Sequence, residues 1–297
     1  MLKFETMAPE IWEQLAPFFR KEHFMACTQS FQTVYLWSDV YGTRYALCDG
    51  WLFFRSEKNG HYAFPFGEGD PAHALELLRE DAHARGEKLR FFGLLTGQKE
   101  WLEQHCPGQF RYVNDRDGAE YLYEAEKLTT YAGKKLHAKR NFTNRFEAAH
   151  PDWRFEPIKA ENIPAVAEMH RRWVQQNEGN GEDGLHQEGC VVRRCLREWD
   201  KLGMTGGILW AGDTVMGFSI AGMISDTVAD INIEKAESEE PGAYPMVCRE
   251  MVKLLLTQNP KLHYINREED TGDEGLRRSK ESYNPVMLLE KYYTEEL

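Results

Sequence analysis

The sequence predicts an α/β protein of the α+β kind, built as two tandem copies of one module, each a mixed, mostly antiparallel sheet flanked by helices. Three observations carry this. The 297 residues exceed what one hydrophobic core usually fills and suit two domains of about 150 residues. Both halves read, from periodicity and turn signals, as the same order of elements. A short text also recurs at the corresponding strand, Lys88-Leu89-Arg90-Phe91-Phe92 against Lys261-Leu262-His263-Tyr264-Ile265, and repetition of whole modules is hard to produce by accident.

The first half opens with a β-like run at residues 2–4 and a helix over 9–21, where Ile11, Leu15, Phe18 and Phe19 recur at helical spacing. The aromatic run Tyr35-Leu36-Trp37 is read as part of a loop. Strands follow at 44–48, 51–55 and 61–66, separated by the hairpin signals Asp49-Gly50 and Asn59-Gly60. Asp70-Pro71 starts a helix that stops at Arg85-Gly86. A strand at 89–95, a helix at 96–105 and strands at 110–113 and 119–123 complete this half.

The second half begins with a strand at 153–157 and a helix at 163–176 carrying Val166, Met169, His170 and Trp173. A second helix covers 188–202. Three strands, 207–210, 215–222 and 228–234, turn at Gly212-Asp213 and Ser225-Asp226. A helix at 244–256, a strand at 262–266, a helix at 273–282 and a strand at 286–292 close the chain. This order is that of the GNAT fold, in which a mixed sheet splays between central strands and the helix after the meander points its N-terminus at an acyl donor. The expected division is 1–128, a basic connecting helix over 129–150, and 151–297.

Composition excludes several classes. With 42% hydrophobic and 28% charged residues the chain is neither disordered nor fibrous. The least polar stretch, 215–224, is broken by Gly217, Ser219 and Gly222 and falls short of the roughly 20 apolar residues that span a bilayer. The start, MLKFETMAPEIWEQL, lacks a basic region followed by an apolar core, so the expected location is cytoplasmic. Six scattered cysteines read as reduced thiols there, and His186, Cys190 and Cys195 lack a CxxC pair, so no metal is expected. A net charge of −12 repels polyanions, so an anionic ligand needs a local patch.

That patch is the connector. TTYAGKKLHAKRNFTNRF, residues 129–146, contains Lys134, Lys135, Lys139, Arg140 and Arg145 and no acid. Like charges at helical spacing repel unless an anion lies between them, which points to a phosphate clamp for a nucleotide, a carrier phosphopantetheine or a tRNA backbone. The competing reading is a solvated helix face neutralised by acidic domains. On the strand 228–234, a period of two places Asp230, Asn232 and Glu234 on one face, opposite Ile231 and Ile233, and a polar central strand suits catalysis. A wet antiparallel face is the alternative.

Gly133-Lys134-Lys135-Leu136-His137-Ala138-Lys139-Arg140-Asn141, with Asn144 and Phe146, resembles a signature of the phosphatidylglycerol lysyltransferase C-terminal domain family. A second block, Asn266-Arg267-Glu268-Glu269-Asp270 followed by Gly272, Gly275, Leu276, Arg277, Ser282, Tyr283 and Pro285, is similar to that family's NREED…GLR…SY.P text. The resemblance implies tandem GNAT-like domains related to Fem-type transferases, which move an amino acid from aminoacyl-tRNA onto a nucleophile. It implies no cofactor, an aminoacyl-tRNA or other acyl donor as co-substrate, and a lipid headgroup or small molecule as acceptor.

On this reading Glu234 and Tyr283 are the catalytic candidates, Tyr283 as general acid, with a packing tyrosine as the alternative. Lys134, Lys135, His137, Lys139, Arg140 and Asn141 bind substrate from the connector. Asn232, Asn266 and Arg267 do so from the sheet, Arg267 also neutralising Glu234, and Glu268 or Asp270 recognises a substrate amine. The loop 234–244 has one glycine, Gly242, and four glutamates where an acetyl-CoA loop offers glycine N–H groups, which disfavours a pyrophosphate. Catalysis is expected in the second half, the first serving as scaffold. The alternatives are a non-catalytic module that recognises aminoacyl-tRNA or an anionic headgroup, and an N-acyltransferase fed by acyl carrier protein or acyl-CoA.

Overall fold

Turn chemistry and caps set most elements of the computed structural model, which describes residues 1–177 and 182–297. β1 (Glu5–Thr6) precedes 3-10 turns around the single helical turn α1 (Trp12–Leu15), so the helix predicted to residue 21 ends near Phe18. The aromatic run expected in a loop is helical, in α2 (Phe31–Tyr41). Ser30 accepts a hydrogen bond from the Thr33 N–H at 3.4 Å and Gly42, at φ 66°, closes the other end, so ordinary caps start and stop it. β2 (Thr43–Cys48) and β3 (Trp51–Ser56) form the hairpin that Asp49-Gly50 announces, both turn residues having positive φ. The strand expected at 61–66 is reduced to isolated bridges from Tyr62 to Arg55 and Phe91 and from Phe66 to Leu52. Pro65 gives it no continuous row of donors.

α3 (Ala72–Ala84), β4 (Arg90–Leu95) and α4 (Thr96–His105) lie where expected. The two strands read at 110–113 and 119–123 are one, β5 (Phe110–Glu124). α5 (Ala125–Thr130) and α6 (His137–Ala149) form the connector, and β6 (Arg154–Pro157), α7 (Ile163–Asn177), α8 (Glu182–Arg197) and α9 (Trp199–Leu202) follow. β7 (Thr205–Ala211), β8 (Thr214–Met223) and β9 (Val228–Ala236) make the meander. α10 (Ala243–Gln258), β10 (Tyr264–Asn266), α11 (Glu274–Glu281) and β11 (Met287–Glu296) end the chain.

The halves share one eight-stranded sheet, in the order β4-β11-β5-β10-β9-β8-β7-β6, beside a three-stranded sheet β1-β2-β3. The last strand, β11, inserts between β4 and β5 of the first half, and within the eight-stranded sheet β9 and β10 pair in parallel while the other described neighbours are antiparallel. β10 stops at Asn266, opposite Asp230, while β9 runs on to Ala236, so the sheet opens between them beyond that point.

Two irregularities position the site. Between the pairs Glu120–Leu289 and Asp115–Lys291, residues 116–119 of β5 face Glu290 alone, so β5 bulges out of the sheet there. On β9 the pairs Ile220–Ile233 and Ala221–Ile231 leave Asn232 as an extra residue. That bulge reverses the side-chain alternation. Before it, Ala229 and Ile231 pack with Cys248, Met251 and Val252 of α10. After it, Ile233 joins the opposite core with Phe31 and Leu36 of α2, Val166 of α7 and Val192 of α8, while Ala236 packs with Met246 and Val247 of α10. Among the described residues no helix is long and apolar enough to cross a membrane.

Candidate functional site

A cavity of about 560 Å³ lies on the α2 face of the sheet. Val34, Trp37 and Tyr41 of α2, Phe54 of β3 and Phe92 of β4 give it apolar and aromatic walls, and Trp37 and Tyr41 stack at 5.5 Å between ring centres. Its polar lining comes from both halves: Cys27, Thr33, Ser56, Asn59, His61, Asp115 and Asp117 from the first, Glu268, Glu269, Thr271, Lys291 and Tyr293 from the second. The exposed residues Asn59, Asp117 and Thr271 mark where it meets solvent. The bulge of β5 delivers Asp115 and Asp117, and the end of β10 delivers Glu268, which holds a positive φ of 52°. The cleft expected within the second half is therefore shared, and most of its wall is first-half sequence.

Below this lining runs a buried polar network. Glu120 is fully buried and accepts from the Lys291 ammonium at 2.5 Å, from the Cys27 backbone N–H at 2.8 Å and from the Asn266 amide. Burial pushes its carboxyl up, but Lys291 more than offsets this and holds it below the usual range. The Cys27 thiol, 3.1 Å from Glu120, is pushed well up by burial and by that carboxylate, so it is an inert, protonated donor. Cys27, Glu120 and Glu269 converge closely enough to surround a cation, and the cation they surround is Lys291, 3.8 Å from Glu269 and 4.0 Å from the sulfur. Asn266 also fixes Glu268, whose N–H donates to its Oδ1 at 2.7 Å.

The β9 bulge corrects the expectation of one polar face. Asp230 and Asn232 turn toward α2, where Thr33 Oγ1 donates to Asp230 at 2.8 Å. Asn232 Nδ2 bridges Asp230 at 2.9 Å and Glu268 at 3.5 Å. Glu234 points to the α10 side, where it accepts from Arg267 at 2.6 Å. Tyr283 is there too, buried, with the Arg267 guanidinium 4.4 Å and Lys139 Nζ 3.7 Å from its ring centre. Burial and the neighbouring Arg267 lower Lys139 to about 8. Neither Glu234 nor Tyr283 lines the cavity; the ion pair instead anchors the backbone one residue before Glu268.

Asp270 is not free to take a substrate amine. It is fully buried and accepts from Tyr121 at 2.6 Å, from Arg277 at 2.9 and 2.7 Å and from Arg116 at 3.2 Å. Burial raises its carboxyl, but these bonds overcome that and hold it far below the usual range. Of the two amine-binding candidates, Glu268 alone reaches the cavity.

The connector residues sit apart from it. Lys134, Lys135, His137, Asn141 and Arg145 are exposed, whereas Arg140 donates to the Tyr131 carbonyl at 2.7 Å. α6 packs on α10 through Phe146, on the side of the sheet opposite the cavity. The loop after β9 is also closed: Glu237 pairs with Arg172 at 3.1 Å, Glu240 with His150 at 3.2 Å, and a Cβ on Gly242 would lie 2.3 Å from the Phe142 carbonyl oxygen. That leaves the start of α10 no room for a pyrophosphate.

Sequence reasoning missed Cys27, Thr33, Trp37, Tyr41, Glu120 and Lys291. The one available signal was the aromatic helical spacing of Trp37 and Tyr41, four residues apart after a Ser cap. Glu120 and Lys291 stand 171 positions apart, and nothing local marks them as partners.

A family model described as phosphatidylglycerol lysyltransferase, C-terminal, matches residues 19–295. A conserved protein of unknown function from Bacteroides thetaiotaomicron is 31% identical with a TM-score of 0.95, and 100% of each chain is covered. The C-terminal domain of a putative lysylphosphatidylglycerol synthetase from Agrobacterium fabrum is 13% identical at a TM-score of 0.64, covering 91% of this chain and 88% of that one. FemX is 10% identical at 0.61, over 100% and 98% of the two chains. A GNAT acetyltransferase from Colwellia psychrerythraea is 9% identical at 0.52, over 100% and 99%. The last three likenesses show the fold: a mixed α/β, GNAT-like one with a large, mostly antiparallel sheet.

Proposed function

The chain belongs to the phosphatidylglycerol lysyltransferase C-terminal family, and from that premise we propose that it transfers an aminoacyl group from aminoacyl-tRNA to a lipid or small-molecule acceptor, with the aminoacyl moiety held in the α2-face cavity. Family and fold are those of GNAT-like acyl and aminoacyl transferases. The observation that carries the finer reading is the cavity's charge. Glu268 and Glu269 line it beside Trp37 and Tyr41, while its one ammonium, Lys291, is taken up by Glu120. Carboxylates with aromatic faces suit a substrate ammonium and repel the phosphates of an acyl-CoA.

In the reaction, the acceptor nucleophile bonds to the ester carbonyl carbon, the bond to the ribose oxygen breaks, and the acceptor's proton ends on that oxygen. Glu268 and Glu269 hold the amine. Glu234, through Arg267, acts as a positioning residue for the loop that presents Glu268, and Tyr283 packs that arginine. The exposed cations Lys134, Lys135 and Arg145 contact donor phosphates. Because they lie across the sheet from the cavity, a ligand touching both must be macromolecular, as aminoacyl-tRNA is.

The test is consumption of labelled aminoacyl-tRNAs by the purified chain with a panel of lipid and amine acceptors, repeated with Glu268→Gln. Transfer that falls at least tenfold in the variant supports the reading. No transfer above background across all donors and acceptors sinks it. One observation favours a binding-only module, namely that Glu234 and Tyr283 both lie away from the cavity. Tight binding of aminoacyl-tRNA without turnover is its signature.

A further inference from the structure

In and beneath the cavity floor, carboxylates outnumber the cations that face them. Glu120 of β5, Asp230 of β9, and Glu268 and Glu269 after β10 stand together with Lys291 of β11, and Lys280 of α11 acts on Glu268 from the far side. Lys291 is committed to Glu120 at 2.5 Å and lies 3.8 Å from Glu269, and the Lys280 ammonium donates to the Arg267 carbonyl. Among the described residues Asp230 touches no cation. It is fully buried, its Oδ2 takes both the Thr33 hydroxyl and the Asn232 amide, and its Oδ1 has no partner. A bare, buried carboxylate oxygen beside other acids is costly; a protonated, uncharged one costs far less.

We propose that Asp230 is the proton holder of this site: uncharged in the working protein, it fixes Glu268 through Asn232 and makes cation binding in the cavity responsive to pH. The inference rests on the reading of the cavity as a cation site. Burial, then the Glu120 charge, push Asp230 up to about 8, while the Thr33 hydroxyl pulls the other way. Glu268 is raised as well, by burial and by Asp230 and Glu269. The two carboxyls titrate as one pair, and with a cation beside Glu268, which lines the cavity, the shared proton sits on Asp230, sealed in the sheet. As pH rises through about 8, Asp230 ionises and the site gains a further negative charge. A cation then binds more tightly.

Choline is the probe, because its charge does not titrate and it suits an aromatic and carboxylate site. Its dissociation constant for the full chain is measured by calorimetry from pH 6.5 to 9.5. The expectation is about tenfold tightening centred near pH 8 in the wild type, one unit of linked shift being a factor of ten. Asp230→Asn, uncharged throughout, abolishes the step. Thr33→Val, which removes a donor favouring the ionised form, moves it to higher pH and serves if the first variant does not fold. Independently, difference infrared spectra at pH 6.5 show a protonated-carboxyl carbonyl band that Asp230→Asn removes.

A step that survives in Asp230→Asn, or a wild type with neither step nor band, overturns the proposal. Choline binding without pH dependence refutes Asp230's role and leaves the cation site standing. Absence of binding at every pH refutes the cation site, and the infrared band then decides Asp230 alone.

Discussion

Replacing Lys291 by Met removes the one ammonium from the cavity floor, and its cost follows from the geometry. The Lys291 and Glu120 side chains are 6% and 0% exposed, and their charges lie 2.5 Å apart. At an effective dielectric constant of 20, that separation corresponds to an attraction of about 7 kcal/mol. Desolvation of both ions offsets part of it in the wild type, but removing one partner strands the other, so a loss of about 3–5 kcal/mol at pH 7 is expected. The sign with pH reverses. In the wild type Glu120 is held below its ordinary value, so its contribution is present above that value and lost as pH falls. In Lys291→Met burial is opposed only by the bonds from the Cys27 N–H and the Asn266 amide, the carboxyl rises, and stability recovers as pH is lowered toward 5. The assay is urea unfolding at pH 7.5 and 5, followed by coincident far-UV circular dichroism and tryptophan fluorescence. Adding Glu120→Gln to Lys291→Met should recover at least half the loss. A single variant that loses less than about 1 kcal/mol, or the same amount at both pH values, refutes the reasoning.

Gly242→Ala places a Cβ 2.3 Å from the Phe142 carbonyl at a φ of +99°, so we expect about 2 kcal/mol or more of lost stability and release of α6 from α10, read by hydrogen exchange in 137–149. Lys139, lowered to about 8, costs stability where it is charged, and that cost lifts as pH rises through 8 toward the unfolded value. Cyanate at pH 8 should therefore carbamylate Lys139 ahead of the more exposed Lys134 and Lys135, as peptide mass spectrometry would show; equal or slower labelling contradicts it. Lys134→Ser with Lys135→Ser should weaken aminoacyl-tRNA binding and reduce the slope of log affinity on log salt by about 2, leaving choline binding unchanged. An unchanged slope removes these lysines from the phosphate contacts.

Local chemistry made much of the chain legible. Asp70-Pro71 before α3, Asp49-Gly50 between β2 and β3, and the 3.6-residue rhythm of α7 and α10 act within a few residues, and the structure keeps each of them. The family could be read for the same reason, because its two blocks, at 133–146 and 266–285, are nearly continuous text, and the family model matches residues 19–295. α2 escaped notice because its caps, Ser30 and Gly42, flank aromatic residues that fit a strand or a loop as well as a helix.

The sequence by itself thus determined most of the elements and the family, and it marked the acidic run at 266–270 as a source of amine-binding candidates. Only the tertiary structure decided which side of the sheet each acid meets. One extra residue at Asn232 reverses the alternation of β9, parting Asp230 from Glu234, and the insertion of β11 between β4 and β5 brings Lys291 onto Glu120. A bulge costs no recognisable sequence signal, and strand pairing across 171 positions is set by the whole sheet's burial rather than by either strand.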